Sequence, residues 1–581
     1  MKKEVTYIQL WLKSNGYDAC IIPQADPHQS EYIENHYRLI SHFSGFTGSA
    51  GTLVVTTSKV LLFTDSRYHI QASLQLKGSG IELMKCGLPD VPSPEKWLST
   101  EMNGSKVAAN ARLFSIKRWA ELSEAVNMCD DAGFETLWRN RPALCDSTVY
   151  IHDVIFSGES VESKLTRVRA IIKEQEAGYA IASNLDDIAW LLNIRGGDVE
   201  CNPVVRCFVI VTLSECTIFI DNSKITASAA EYFTKHGIGV RSYDDIDEVL
   251  KGCEGTALYD ENALNQHLFL LIKERRKINL PLYIARLRAV KNSVEIEGYH
   301  RAMINDGVVW VRFYKWFNES LESDSRITEI DVMDKLRELK AEQELFVDES
   351  FGTIAGYAAH GAIGHYAATD ESNAIIEHRG FIVIDTGTHY LCGTTDTTRT
   401  LVCGSLTDEE RRDYTLVLKG HIALGTAVFP KGVKGSQLDI LARQFLWNES
   451  MNYGHGTGHG VGHLLNVHEG YAWLRPSENN IGYEPGITMT DEPGVYREGK
   501  HGVRIENTVL VVPYSKSEFG EFLTFEHLTL APYAIGAIDL NLLTADEKSF
   551  LNNYNNNLKN KLKPYLSDSE YEFLETIAYE I

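Results

Sequence analysis

The chain has 581 residues, 44% hydrophobic and 23% charged, with 44 glycines and 15 prolines. This is ordinary globular composition, which excludes collagen-like, low-complexity and disordered classes, and at roughly 150 residues per domain it predicts two to four domains. The 56 basic against 79 acidic residues give a net charge of −23, a field that repels a phosphate backbone and argues against nucleic acid as a partner.

The first residues read as an amphipathic helix: Glu4, Thr6, Gln9 and Lys13 interrupt any leader-like apolar run, and no small-residue cleavage site follows. The longest clean apolar runs, such as 207–213, fall far short of the ~20 residues of a spanning helix, so no membrane association is expected. Ten cysteines lie between Cys20 and Cys403 without a CxxC pair; the expectation is reduced thiols and a cytoplasmic protein.

Residues 52–65 (TLVVTTSKVLLFTD) and 207–221 (CFVIVTLSECTIFID) each read as a β-hairpin around a polar turn. In both, a Thr (Thr56, Thr212) lies nine residues before an Asp (Asp65, Asp221) and a Phe (Phe63, Phe219) lies two before it. The offset of 156 residues predicts two N-terminal α/β domains of related fold. Helices are expected over 159–177, 261–277 and 292–317, the last with Val308, Trp310, Val311 and Tyr314 at core spacing. Domain boundaries are placed at 1–155, 156–285 and 286–581. From Phe351 to Leu530 the texture changes to Gly- and Thr-rich strands with clustered His, Asp and Glu, where the chemistry is expected.

The run 381–385 (FIVID) is an apolar strand ending in a carboxylate, followed by a Gly-containing turn and the β-favouring run GTTDTTRT over 393–400. Two antiparallel strands there bring Asp385 and Asp396 together, and two buried like charges require a compensating cation. The cluster YGHGTGHGVG over 453–462 holds His455 and His459, and its glycines rule out a zinc helix of HExxH type. Glu492 precedes a Pro-Gly turn in TDEPG. Residues 502–512 (GVRIENTVLVV) alternate as one strand, with Arg504, Glu506 and Thr508 on one face. Two Asp, two Glu and one His suit two divalent ions about 3.5–4 Å apart; four carboxylates balance two such ions in charge. Harder ions such as Mn²⁺ fit the carboxylates, and the single His also admits Zn²⁺, Co²⁺ or Fe²⁺.

The motifs IDTGTHYLCGTTDTTRT, HGTGHGVG, NVHEG, TDEPGVY and GVRIENTVLVV resemble the pita-bread metallopeptidases, and within them the aminopeptidase P group in its long three-domain cytosolic form. Supporting stretches at 44–52, 64–68, 185–204, 289–298 and 523–533 extend the resemblance over nearly the whole chain. It implies an α/β (α+β) architecture, two creatinase-like N-terminal domains followed by a pita-bread catalytic domain with a helical extension, and a homodimer. It also implies that Asp385, Asp396, His459, Glu492 and Glu506 hold two divalent ions.

The implied reaction is removal of the first residue from peptides with proline second, by a hydroxide bridging the two metals. Glu492 is expected to shuttle the proton, His468 to hydrogen-bond the scissile carbonyl and His365 to hold the peptide backbone. Phe351, with His455 and the stem of Arg504, would wall the proline pocket that such a bond, lacking an amide N–H, requires. Arg67, Arg195 and Asp198 are expected at the rim of the cleft. Two departures stand out: His360 where the family more often has Asn, which would adjust the rim, and Cys392 between the two Asp, which makes thiol-sensitive inhibition conceivable. The rival readings are an Xaa-Pro dipeptidase and a non-catalytic peptide- or histone-binding protein of the same fold.

Overall fold

The computed structural model describes residues 2–273, 276–323, 325–477 and 481–581. The chain divides into two compact units, Met1–Asp153 with Glu159–Ala285, and Val154–Gly158 with Arg286–Ile581. Among the described residues no helix is long and apolar enough to cross a membrane and no two cysteines form a disulfide.

The first unit contains two six-stranded sheets of one topology. Across the first run Glu82–Lys85, Val60–Thr64, Thr52–Thr56, Ala19–Pro23, Lys106–Ala109 and Asn127–Asp130; across the second run Ile238–Arg241, Cys216–Ile220, Cys207–Thr212, Tyr179–Ala182, Ala257–Tyr259 and Lys277–Asn279. In each, two adjacent pairings are antiparallel and the other three parallel. The 156-residue repeat has a physical basis. Thr56 Oγ1 accepts from the amides of Ser58 and Lys59 at 3.2 and 2.8 Å, and Thr212 Oγ1 from those of Ser214 and Glu215 at the same distances, so each hydroxyl closes its hairpin turn. Asp65 and Asp221 each cap the turn that follows, accepting from the amides of Arg67 and Ser223.

The N-terminal helix, Lys3–Asn15, buries Val5, Ile8 and Leu12 and stops at Gly16, whose φ of 69° suits a residue without a Cβ. The expected helix over 159–177 forms as Val161–Glu174, capped by Ser160. The one expected over 261–277 does not. Asn265 caps a short helix, Gln266–Leu271, and Lys277–Asn279 pairs instead with Ala257–Tyr259; residues 274–275 lie outside the described residues. Asp198 is not free at a rim: its side chain is fully buried against Lys224 Nζ at 2.5 Å and accepts from Ser147 Oγ at 2.7 Å. Arg195 is likewise buried, donating to the carbonyls of Ala189 and Ile194, and Arg67 chelates Asp65 through Nε and Nη2.

The second unit is organised on the long helix Ser293–Glu322, started by a capping box between Asn292 and Glu295. Val308, Trp310, Val311 and Tyr314 are buried as their spacing requires. A six-stranded antiparallel sheet runs Val428–Pro430, Gly520–His527, Asn507–Ser517, Thr488–Asp491, Gly458–Gly460 and Glu469–Leu474. A three-stranded sheet carries Ile354–Tyr357, Phe381–Thr386 and Thr397–Val402. The C-terminal helices Ala545–Leu562 and Asp568–Ile577 put Leu551, Tyr554, Leu558 and Leu574 into the same core as Val311, Tyr414 and Leu418, so the polar tail is an integral layer of this unit.

Candidate metal centre

Asp385 occupies the next-to-last position of the strand Phe381–Thr386 and pairs with Thr398 of the antiparallel strand Thr397–Val402. Between them, Thr388–Tyr390 and Gly393–Thr394 fold off as a separate hairpin, which returns the chain at Asp396. The turn demands Gly387: a Cβ there would lie 2.2 Å from both Ser350 Oγ and the Thr395 carbonyl, and 3.0 Å from the ring of Phe351. Phe351 is therefore packed beside the turn that follows Asp385. Lys340, fully buried, holds the same turn from behind through the Gly387 carbonyl at 3.1 Å and the Glu349 carboxylate at 3.0 Å.

His459 lies on the short strand Gly458–Gly460, where a Cβ on Gly458 would come within 2.0 Å of the Thr490 carbonyl. Only glycine lets the strands approach this closely. The ring donates from Nδ1 to the Gly460 carbonyl at 2.9 Å, which fixes its orientation and turns Nε2 toward Asp396 Oδ2 at 3.4 Å and Glu492 Oε1 at 3.6 Å. Ligand atoms of Asp396, His459 and Glu506, all buried, lie within 4.8 Å of one another.

Residues 502–512 do not form one continuous strand. His501–Arg504 pairs with Gly494–Arg497 as a ribbon, and Asn507–Ser517 joins the large sheet. The chain breaks at Ile505–Glu506 because their backbone is claimed elsewhere: the Glu506 amide donates to the Thr398 carbonyl, and buried Arg399 donates to the Glu506 carbonyl at 2.6 Å. Arg504 and Glu506 nevertheless converge on Thr398, whose hydroxyl accepts from Arg504 Nε at 3.2 Å and donates to Glu506 Oε2 at 2.7 Å. Arg504 Nη2 reaches Asp385 Oδ2 at 2.7 Å. Tyr496 links Arg504 Nη1 to His455 Nε2 at 2.8 Å on each side. Sequence reasoning missed Thr398 and Tyr496, although the Thr run and the TDEPGVY motif contain them.

His468 packs edge-on to His459, ring centres 4.3 Å apart, and is anchored by its neighbour Glu469, buried between Arg288 and Lys291 at 3.0 and 2.5 Å. His455 Nδ1 lies 4.0 Å from Glu492. His365 is half-buried in the loop after the turn Ala358–Ala362; that turn rests on the Arg504 strand, since a Cβ on Gly502 would strike the Gly361 carbonyl. His360 is committed to Glu329 at 2.8 Å and stacks on Tyr366, so its partner is a buried carboxylate. Cys392 is buried and its thiol is pushed up to about 11 by that burial, which makes it a poor nucleophile.

The electrostatics are those of a cluster short of positive charge. Burial raises the pKa of Asp385 despite Arg504, with Asp396 adding to the rise. Burial likewise pushes Glu492 up to about 7, against the pull of His459 and with the push of Asp396. Glu506 is raised well above the usual carboxylate range by burial and by its three carboxylate neighbours. Burial lowers His459, but the Asp396 hydrogen bond and the charge of Glu492 outweigh it and lift its pKa to about 9. Asp385 Oδ1 is buried with no partner among the described residues. An orphaned carboxylate oxygen, a fixed imidazole and crowded oxygens are the donor set for small divalent cations, so the residues present fit divalent-cation binding.

Folded-state pKa values raised above 4.5 for Glu492 and 6.5 for His459 contribute stability at low pH that is lost as pH rises through about 7 and then about 9. Metal-free protein is expected to melt at progressively lower temperature across that range, and divalent ion to bind more tightly as pH rises, with release of protons. Differential scanning calorimetry of chelated and reloaded protein, together with titration calorimetry in buffers of different ionisation enthalpy, measures both.

Comparisons with known proteins agree along the whole chain. Family models match residues 5–138 and 140–295 as creatinase/prolidase N-terminal domains, 297–513 as metallopeptidase family M24 and 521–581 as the C-terminal region of peptidase M24. A Neurospora crassa protein named probable Xaa-Pro aminopeptidase P is 36% identical over 96% of this chain and 86% of its own length. One of the same name from Fusarium vanettenii is 37% identical over 97% and 96%. The crystal structure of X-prolyl aminopeptidase from Caenorhabditis elegans, described as a cytosolic enzyme with a di-nuclear active site, is 31% identical, with a TM-score of 0.94 over 97% of this chain and 95% of that one. The chain belongs to metallopeptidase family M24, in the aminopeptidase P group, with two creatinase-type N-terminal domains ahead of a pita-bread metallopeptidase domain.

Proposed function

We propose that the protein is a metal-dependent aminopeptidase that hydrolyses the Xaa-Pro bond at the N-terminus of peptides. The observation that carries this reading is the convergence of Asp396, His459 and Glu506 within 4.8 Å, with Glu492 3.6 Å from the imidazole. Asp385, Asp396, His459, Glu492 and Glu506 hold two divalent ions, Mn²⁺ being the best match to four carboxylates and Zn²⁺ or Co²⁺ the alternatives. Such a pair supplies Lewis acidity and lowers the pKa of water. The names of the relatives support the substrate class, and the neighbour's di-nuclear site supports the number of ions. The neighbour's description as cytosolic supports a cytoplasmic location; a homodimer remains part of the same reading.

The chain's own groups then have separable tasks. Glu492, 3.6 Å from His459 Nε2 in the carboxylate cluster, is placed to take a proton and return it to the leaving proline nitrogen. His468, held edge-on to His459, orients the scissile carbonyl, and His365 holds the peptide backbone. Phe351, His455 and the stem of Arg504 exclude water around the proline ring. Tyr496, its hydroxyl pushed up to about 12 by burial, stays a phenol at working pH and joins two of those walls.

Chelated protein resupplied with Mn²⁺, Zn²⁺ or Co²⁺ is expected to release the first residue of an Xaa-Pro-Xaa tripeptide. Asp396→Asn is expected to lose that turnover while keeping its fold by circular dichroism. Cleavage of the Xaa-Pro dipeptide alone would assign a dipeptidase, and silence with every ion a binding protein. Phe351→Ala is expected to lower kcat/KM for Xaa-Pro peptides about tenfold relative to Xaa-Ala peptides, in line with the loss of an aromatic pocket wall, read by competition between the two.

A further inference from the structure

Glu329, the first residue of the helix Glu329–Ala341, is fully buried outside the metal centre. Its Oε1 accepts from the Tyr357 amide at 2.7 Å and from His360 Nδ1 at 2.8 Å, and its Oε2 from the Tyr366 hydroxyl and the Ala374 amide, both at 2.9 Å. Four donors on two oxygens offset the cost of burying the charge. All four come from one excursion of the chain, which leaves the strand Ile354–Tyr357 and returns ahead of the strand Phe381–Thr386. His365 lies inside it, with Tyr366 next in sequence. One carboxylate therefore closes the base of this loop, through Tyr357 and Ala374, and grips its middle through Tyr366. His360 stacks on Tyr366 with ring centres 4.5 Å apart, which joins the two aromatic donors. The backbone repeats the closure: the Glu329 amide donates to the Ala374 carbonyl and the Ile330 amide to Asn373 Oδ1, both at 3.1 Å.

The loop and the metal ligands share one frame. The turn Ala358–Ala362 is wedged between ligand-bearing strands: a Cβ on Gly361 would lie 3.1 Å from the Val383 side chain, on the strand that carries Asp385, and 3.3 Å from the Gly502 amide, on the strand that ends at Arg504. The helix that begins at Glu329 also carries Lys340, which holds the turn after Asp385 through the Gly387 carbonyl. Eleven residues separate the two (340 − 329), about 16 Å at 1.5 Å per residue. One helix thus spaces the His365 loop from the Asp385 turn.

We infer that Glu329 is the positioning residue of His365: by closing the loop and gripping its tyrosine, it sets where His365 meets the peptide backbone. The inference rests on the aminopeptidase reading, in which His365 holds that backbone, and adds to it a residue that acts only through the loop.

Glu329→Gln is isosteric, but whichever way its amide turns, the NH₂ group faces one of the two backbone N–H donors and releases one end of the loop. Metal-loaded full-length protein is first given Xaa-Pro-Ala: turnover by wild type sustains the aminopeptidase reading, and its absence overturns that reading and this inference with it. Affinity for an uncleavable Xaa-Pro-Ala analogue, with a methylene in place of the scissile carbonyl, is then measured by titration calorimetry, which reads catalytically silent variants as well as active ones. Glu329→Gln is expected to keep the wild-type metal content and to weaken binding about tenfold, the worth of one well-placed hydrogen bond. When His365 is already alanine, the same change is expected to cost less than about twofold, because the two substitutions remove one interaction. Tyr366→Phe, which removes a single donor, is expected to weaken binding about threefold with the same dependence on His365, and carries the test should Glu329→Gln fail to fold. Wild-type affinity in both variants, an equal loss with and without His365, or loss of bound ion in Glu329→Gln overturns the inference while leaving the aminopeptidase reading standing.

Discussion

The structure depends on enclosing four carboxylates around one imidazole. Asp385, Asp396, Glu492 and Glu506 come from four separate stretches of chain, and each is wholly or mostly withdrawn from water. Such a cluster is unstable alone, as the upward shifts of Asp385, Glu492 and Glu506 record, because burial and mutual repulsion act in the same direction. Arg504 neutralises one of the four, and His459 takes a proton to offset part of the rest. Cations bound among these oxygens remove the deficit, so metal binding, folding of the site and reactivity are one electrostatic problem.

Behind the cluster, fixed cations grip the strands that carry the ligands. Arg399 holds the carbonyl of Glu506 itself. Arg443 donates to the carbonyls of Tyr453 and His455 at 2.8 Å, which sets the Gly-His loop, and its own charge is met by Asp439 at 2.7 Å. Lys340 holds the turn after Asp385, and Arg288 with Lys291 fixes Glu469 beside His468. A buried charge released from its partner is strongly destabilising, so these contacts tolerate little drift. They hold the ligand atoms at fixed spacing before any cation arrives, which is how a protein made largely of strands and loops keeps a site rigid.

Much of this was legible in the residues. The Thr turn and Asp cap repeated at 156 residues expose the two related lobes because one hydroxyl and one carboxylate each satisfy local amides. Asp385, Asp396, His459, Glu492 and Glu506 are readable because carboxylates ending apolar strands, and a histidine among glycines, have few structural uses. Long-range competition was not legible. Alternation over 502–512 reads as one strand, yet the Thr398 carbonyl and the Arg399 side chain take the backbone of Glu506 and break it. Periodicity likewise extends a helix over 261–277, where Asn265 as a cap and strand pairing at Lys277–Asn279 divide the segment. Thr398 and Tyr496 escape for the same reason: their contacts with Arg504, Glu506 and His455 exist only once distant strands meet.

The central claim is that these five side chains form a two-ion site, and the most direct measurement is metal content at equilibrium. Protein stripped with chelator, dialysed against Mn²⁺ and assayed by plasma mass spectrometry should hold two ions per chain, and Asp396→Asn, Glu492→Gln and Glu506→Gln should each hold fewer. Wild-type protein that binds one ion or none, or variants that retain two, would contradict the account.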